Sequence, residues 1–204
     1  MTRQKKMLIG LCAALLSLCV LIALLPLALA YLNAPPARRP IEFADAALSL
    51  DPASDSEYMS LNRAIYYVQK GTTTIKTELG EEDYAHYSKA VRRIITMIKT
   101  MLDGDAESYN ALFSPEYLAA AGKEDGFTKQ KLYDISIIEY SVSAAVPTGY
   151  EKVSLYGLAY KIKDNNGSLR SDMGSDAELE QHLTIVEDAD GNVYIHGINV
   201  VLFG

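Results

Sequence analysis

The chain has 204 residues, of which 26 are acidic and 19 basic, giving a formal charge of −7. That balance argues against sequence-independent nucleic-acid binding, which neutralises phosphates with Lys and Arg. The two cysteines, Cys12 and Cys19, lie in one uncharged apolar run, so the rest of the chain has no disulfide, thiol nucleophile or cysteine metal ligand.

That run, Met7 to Leu32, follows Arg3, Lys5 and Lys6. As a helix its 26 residues would span roughly 39 Å, more than the roughly 30 Å hydrocarbon core of a bilayer. The basic flank predicts a cytoplasmic tail (1–6) and an extracytoplasmic C-terminal part, with the lipid bilayer as the partner of residues 7–32. Pro26 and Ala28-Leu29-Ala30 also match the end of a secretory signal cut before Tyr31. Against cleavage, the 19 uncharged residues before Pro26 exceed a signal core of about 7–15. A lipoprotein signal is excluded by Leu11 and Leu18, which precede the cysteines where small residues are required. The chain is thus a single-pass membrane protein or, after cleavage, a secreted one. Beyond residue 30 lie 16 basic and 26 acidic residues, a balance of −10. An exported domain without disulfides fits a bacterial envelope.

Residues 33–54 read as a Pro/Ala-rich linker, in which Arg38 and Arg39 are too few for a lipid-reading cluster. A domain is expected over 55–204. From Asp55 a helix is predicted through Gln69, capped by Ser54 or Ser56 and stopped by Gly71, with Tyr58, Leu61, Ile65 and Val68 on one face. A long helix is predicted from Glu81 to Leu102. Its stripe comprises Tyr84, Tyr87, Val91, Ile94, Ile95, Ile98, Met101 and Leu102, and Gly104 ends it. Short helices are expected at Ala106–Phe113 and Pro115–Ala121, the latter with Ser114 as cap and Gly122 as stop. Thr128–Leu132 is expected to add a turn.

Strands follow at Tyr133–Ala145, Glu151–Lys163, Glu178–Glu187 and Val193–Phe203, all rich in β-branched and aromatic residues. Asn166-Gly167 and Asp188–Gly191 mark hairpin turns. Helices first and strands after predict an α+β fold, with helices packed on a curved antiparallel sheet of about four strands.

This order, carried by residues 81–204 and in particular by Met101 to Leu118 (MLDGDAESYNALFSPEYL), resembles the nuclear transport factor 2-like (SnoaL-like, cystatin-like) superfamily. The resemblance is architectural and implies a cone whose helices and sheet enclose a pocket, often with a dimer across the sheet. It implies no single function, because the superfamily includes enzymes, ligand binders and scaffolds. The layout of tail, span and acidic outer domain is also similar to that of scaffold proteins of conjugation and type IV secretion machines.

No zinc motif, P-loop, dinucleotide fingerprint or nucleophile elbow occurs, so no catalytic residue, metal or cofactor is assigned. His86 borders the stripe of the long helix and reads as surface. Counted from the Asp188–Gly191 turn, His182 and His196 read as cross-strand neighbours. In superfamily enzymes a His and an acidic residue inside the cone perform acid–base work. Tyr140, Tyr156 and Tyr160 lie on the first two of these strands. With His182 and His196 they are the candidate pocket-lining residues, core packing being the alternative for the tyrosines. Asp188, Asp190 and Asn192 have part of a calcium-loop spacing, but Gly191 and Asn199 stand where an EF-hand requires other residues, and a hairpin turn explains them. Three functions fit these features. The first is a membrane-tethered interaction module that binds an envelope protein or a second copy through its sheet. The others are a small-molecule binder or enzyme using the cone, and a part of a secretion-like machine.

Overall fold

A computed structural model of the chain describes residues 55–70, 72–140 and 144–200. The chain divides into two units, 1–37 and 38–204; the first lies wholly outside the described residues, and the fold below belongs to the second. The apolar run 7–32 and the linker 33–54 therefore lie outside the described residues. Among those that are described, no helix is long and apolar enough to cross a membrane.

The fold is α+β, with one mixed six-stranded sheet in the order β2-β1-β3-β4-β5-β6. The strands are β1 (Ile65–Lys70), β2 (Thr74–Glu78), β3 (Lys131–Tyr140), β4 (Lys152–Lys163), β5 (Gln181–Glu187) and β6 (Val193–Val200). Neighbours run antiparallel except β1 and β3, which pair in parallel from Ile65↔Ile135 to Gln69↔Glu139. The sheet is thus larger than the four antiparallel strands expected.

Of the two extra strands, β2 comes from the β-branched stretch after Gly71 and β1 from the region predicted as a helix over 55–69. Only α1 (Ser56–Ser60) forms there, capped by Asp55, whose Oδ1 accepts the Tyr58 N–H at 2.9 Å. The i, i+3 spacing of Ile65 and Val68 mimics a helical stripe. On a strand it places the two residues on opposite faces, and here both faces are covered: Ile65 enters the main core and Val68 a second, smaller cluster. Paired with β3, the Ile-Tyr-Tyr-Val run follows its β-branched and aromatic preference.

The helix predicted over 81–102 is also divided. Glu81–His86 is a 3-10 helix, and α2 (Lys89–Asp103) starts afresh at Ser88, whose Oγ accepts the Val91 N–H at 3.1 Å. The bend is fixed by Tyr87: Gly80 N–H donates to its hydroxyl at 2.9 Å, and the hydroxyl donates to the Gly80 carbonyl at 2.8 Å. Gly104 ends α2 as expected, at φ +66°; a Cβ there would lie 2.8 Å from Lys129 N. The helices α3 (Ala106–Asn110) and α4 (Pro115–Ala121) follow. α3 stops short of Phe113 because the chain turns to run beside β6. There Ile195 N–H donates to Leu112 O at 2.9 Å and Ser114 N–H to Ile195 O at 3.0 Å. α4 matches its predicted bounds, with Ser114 as its cap. Thr128–Leu132 forms no helical turn; the chain is already extended as it enters β3.

The middle of the helix–sheet interface is close-packed. Ile94, Ile98 and Met101 of α2 meet Ile137, Leu158 and Leu183 of the sheet, none more than 1% exposed. The opposite face carries the small cluster of Val68, Ile138 and Ala159, with Tyr140 packed against it. Asp188–Gly191 turns β5 into β6 as expected, with the Asp188 carboxylate accepting from the Asp190 and Asn192 backbone and from the Asn192 side chain. Asn166-Gly167, by contrast, makes no tight hairpin. Residues 164–180 form a long connection in which Asn165 Nδ2 donates to the carbonyls of Arg170 and Met173. Register shows why: β4 meets β5 only up to Leu158↔Gln181, leaving its last residues beyond the pair.

Candidate functional site

The five candidate residues fall in three separate places. Tyr156 and Tyr160 share the helix-facing side of β4, as alternation requires, and both are buried. The Tyr160 hydroxyl donates to Gln181 Oε1 at 3.1 Å and accepts from Arg170 Nη1 at 2.9 Å. Arg170 is itself 5% exposed and forks onto the Asp172 carboxylate at 2.6 and 2.8 Å. Burial pushes the Tyr160 phenol up to about 12, with Arg170 opposing. It is a neutral link between the sheet and the 164–180 connection.

Tyr156 lines an open cleft of about 380 Å³ between the start of α2 and strands β4, β5 and β6, with Ser88, Lys89, Lys152, Ser154 and Glu187 around it. Burial raises its phenol, and the neighbouring Ser88 hydroxyl acts against that. The two lysines of the cleft are both engaged by Glu187, Lys89 at 2.9 Å and Lys152 at 3.3 Å. That one carboxylate offsets one of the two positive charges.

Tyr140 and His182 do come together, on the opposite face of the sheet. The Tyr140 hydroxyl donates to Glu180 Oε1 in a short hydrogen bond and lies 3.3 Å from His182 Nε2, which is 3.5 Å from the same carboxylate. The rings meet edge to face at 5.1 Å. Burial, then the Glu180 carboxylate, holds the Tyr140 phenol above its ordinary range, so at neutral pH it is a fixed donor. Gly157 makes the arrangement possible: a Cβ there would run into the Glu180 carboxylate and lie 3.0 Å from the Tyr140 hydroxyl. Sequence reasoning missed Glu180 and Gly157. The signals were a glycine inside an otherwise β-rich strand and an acid two residues before His182.

His196 is not a cross-strand neighbour of His182. A bulge between Thr184 and Ile185 shifts the register, so His182 faces Asn199 while Thr184 faces Gly197 and Ile185 faces Ile195. His196 Nδ1 instead sits 2.9 Å from Ser114 Oγ, a fully buried hydroxyl that also accepts the Tyr117 N–H at 3.2 Å. Its ring lies 5.2 Å from that of Tyr150, whose hydroxyl donates to Glu116 at 2.7 Å. The Ser–His pair fastens α4 to β6 and is closed to a substrate. His86 is exposed in the 3-10 helix.

Among the described residues no three His, Asp or Glu side chains converge as a metal site. Comparison of the chain with family models, with curated proteins and with solved structures finds no match.

Proposed function

We propose that this chain is a membrane-tethered, extracytoplasmic interaction module that binds an envelope protein or a second copy through its sheet. The observation that carries this reading is the close-packed middle of the helix–sheet interface, where Ile98, Leu158 and Leu183 are each fully buried. The groups of the polar clusters hydrogen-bond one another. The tether rests on the uncharged run 7–32 behind its basic flank, and the acidic balance of −10 beyond it suits a soluble outer domain. The nuclear transport factor 2-like likeness of residues 81–204, with its cone-like curvature, belongs to the same proposal. The test uses the full chain in detergent and in its own membranes. Light scattering should give a mass above one copy, or crosslinking should capture a protein partner. A strictly monomeric chain with no crosslinked partner overturns the reading.

A second reading, small-molecule binding, is favoured by one observation alone, the cleft at Tyr156. There Tyr156→Phe should abolish any ligand-induced rise in melting temperature, and a screen without such rises disposes of this reading.

A further inference from the structure

The corner where α3 leads into α4 holds a pocket that lies apart from the cleft at Tyr156. Its volume is about 100 Å³, and Tyr109, Phe113, Tyr117 and Glu124 are among the residues that line it. We propose that this pocket seats the ammonium end of a lysine side chain from a protein partner. The inference rests on the interaction reading above and names the chemistry by which the partner is held.

The aromatic wall comes from one spacing. Tyr109, Phe113 and Tyr117 follow one another at intervals of four residues across the corner. Phe113 stacks on Tyr117 with ring centres 5.0 Å apart and meets Tyr109 at the same distance, tilted by 56°. Phe127 backs Tyr109 edge-on at 5.4 Å. The acid is positioned by Asn110, whose Nδ2 donates to the Glu124 carbonyl at 2.9 Å while its Oδ1 accepts the Glu124 N–H at 3.0 Å. Between them α4 ends at Gly122, whose φ of +87° lets the chain turn back toward α3.

The oxygens around this pocket lack partners. Tyr109 is only 7% exposed, yet among the described residues its hydroxyl makes no hydrogen bond, and neither does that of Tyr117. A buried hydroxyl normally finds a partner. Among the described residues the one fully enclosed side-chain polar atom without a partner is Asp103 Oδ1, so the Tyr109 hydroxyl opens onto free space. The pocket is the space that Tyr109 lines. The exposed Glu124 carboxylate makes no ion pair among the described residues. Burial holds both phenols above their ordinary range, so they stay neutral and can accept. Glu124 is the charge felt at Tyr117, ahead of its neighbour Lys123, and it is felt at Tyr109 as well. Arg170 also reaches Tyr109, but its guanidinium is forked onto Asp172.

Chemistry then selects the occupant. Two phenol oxygens and a carboxylate offer acceptors on three sides, and an ammonium carries three donors and no acceptor. Aromatic walls suit both the charge and the methylenes behind it. The pocket is far below the roughly 300–1,000 Å³ that encloses a small-molecule ligand, so it admits the end of a chain and leaves the rest outside. A lysine side chain has that form, and a balance of −10 beyond residue 30 attracts a basic protein surface.

The test uses the full chain in detergent and in its own membranes, with n-butylammonium standing in for the lysine side chain. Its titration should shift the NMR signals of the Tyr109 and Tyr117 rings, whereas n-butanol, of similar shape without the charge, should not. Glu124→Gln should weaken that binding on the order of tenfold. Tyr109→Phe should weaken it roughly threefold without lowering the melting temperature, because the hydroxyl it removes bonds nothing within the chain. In membranes a carbodiimide, which condenses a carboxylate with an adjacent amine, should join Glu124 to a lysine of another protein, read by mass spectrometry. Excess n-butylammonium should suppress that product. A folded chain that ignores n-butylammonium, or answers n-butanol equally, overturns the inference. The interaction reading then stands if the chain still assembles or captures a partner elsewhere, and falls with it if the chain is monomeric and captures none. Amine binding without a Glu124–lysine product, or a product only with a second copy, means a different occupant and overturns the inference too.

Discussion

The two faces of the sheet solve the same packing problem with different materials. Toward the helices, Ile137, Leu158 and Leu183 are fully buried, and among the polar groups there Tyr160 is tied to a buried Arg170. On the opposite face the buried cluster of Val68, Ile138 and Ala159 is small, and a Tyr–Glu–His cluster continues the cover over Gly157. The first face draws its stability from apolar area. The second relies on a few polar groups satisfying one another, where removing one partner strands the rest.

Adjacent isoleucines on β3 give the largest test of that contrast. Ile137→Ala should cost about 3–5 kcal/mol in denaturant unfolding and Ile138→Ala closer to about 2, because the second site has fewer neighbours to lose. Equal costs would erase the difference between the faces. Gly157→Ala should cost about 1–3 kcal/mol and displace Glu180 and Tyr140, read as lost histidine–tyrosine contacts in NMR spectra. An unchanged spectrum would mean the glycine is incidental.

Alkaline pH probes the helix-facing side. The Tyr160 phenol is raised in the folded state from 10.0 to about 12, so its contribution is fully present below pH 10 and is lost as pH rises toward 12. Urea midpoints should fall over that window in the native chain and fall less in Tyr160→Phe. The smallest effect is expected at Tyr140→Phe, about 1 kcal/mol, with most of the coupling shared with Glu180 in a double-mutant cycle.

Much of the second half of the domain was legible because local signals agreed with the tertiary answer. Ser114, Pro115 and Gly122 set the bounds of α4, and Asp188 with Gly191 placed the last hairpin. The errors share one cause, in that distant partners outvoted local pattern. Ile65 and Val68 read as helix because nothing in residues 55–70 announces β3, to which they pair some seventy positions away. Asn166-Gly167 read as a hairpin because its local signal cannot report that β5 meets β4 farther along. At the candidate site, the pairing of Tyr140 with His182 was reachable from strand order. The separation of His182 from His196 depends on register: the pairing that starts at Glu187↔Val193 already leads His182 past His196, and the bulge carries it one residue further, to Asn199.

The segment Leu112–Ser114 carries a consequence for the β6 edge. A bare edge strand invites the addition of a further strand, and head-to-tail addition grows without end. By holding Ile195 through both its N–H and its carbonyl, this short stretch blocks β6 against strand addition at that point.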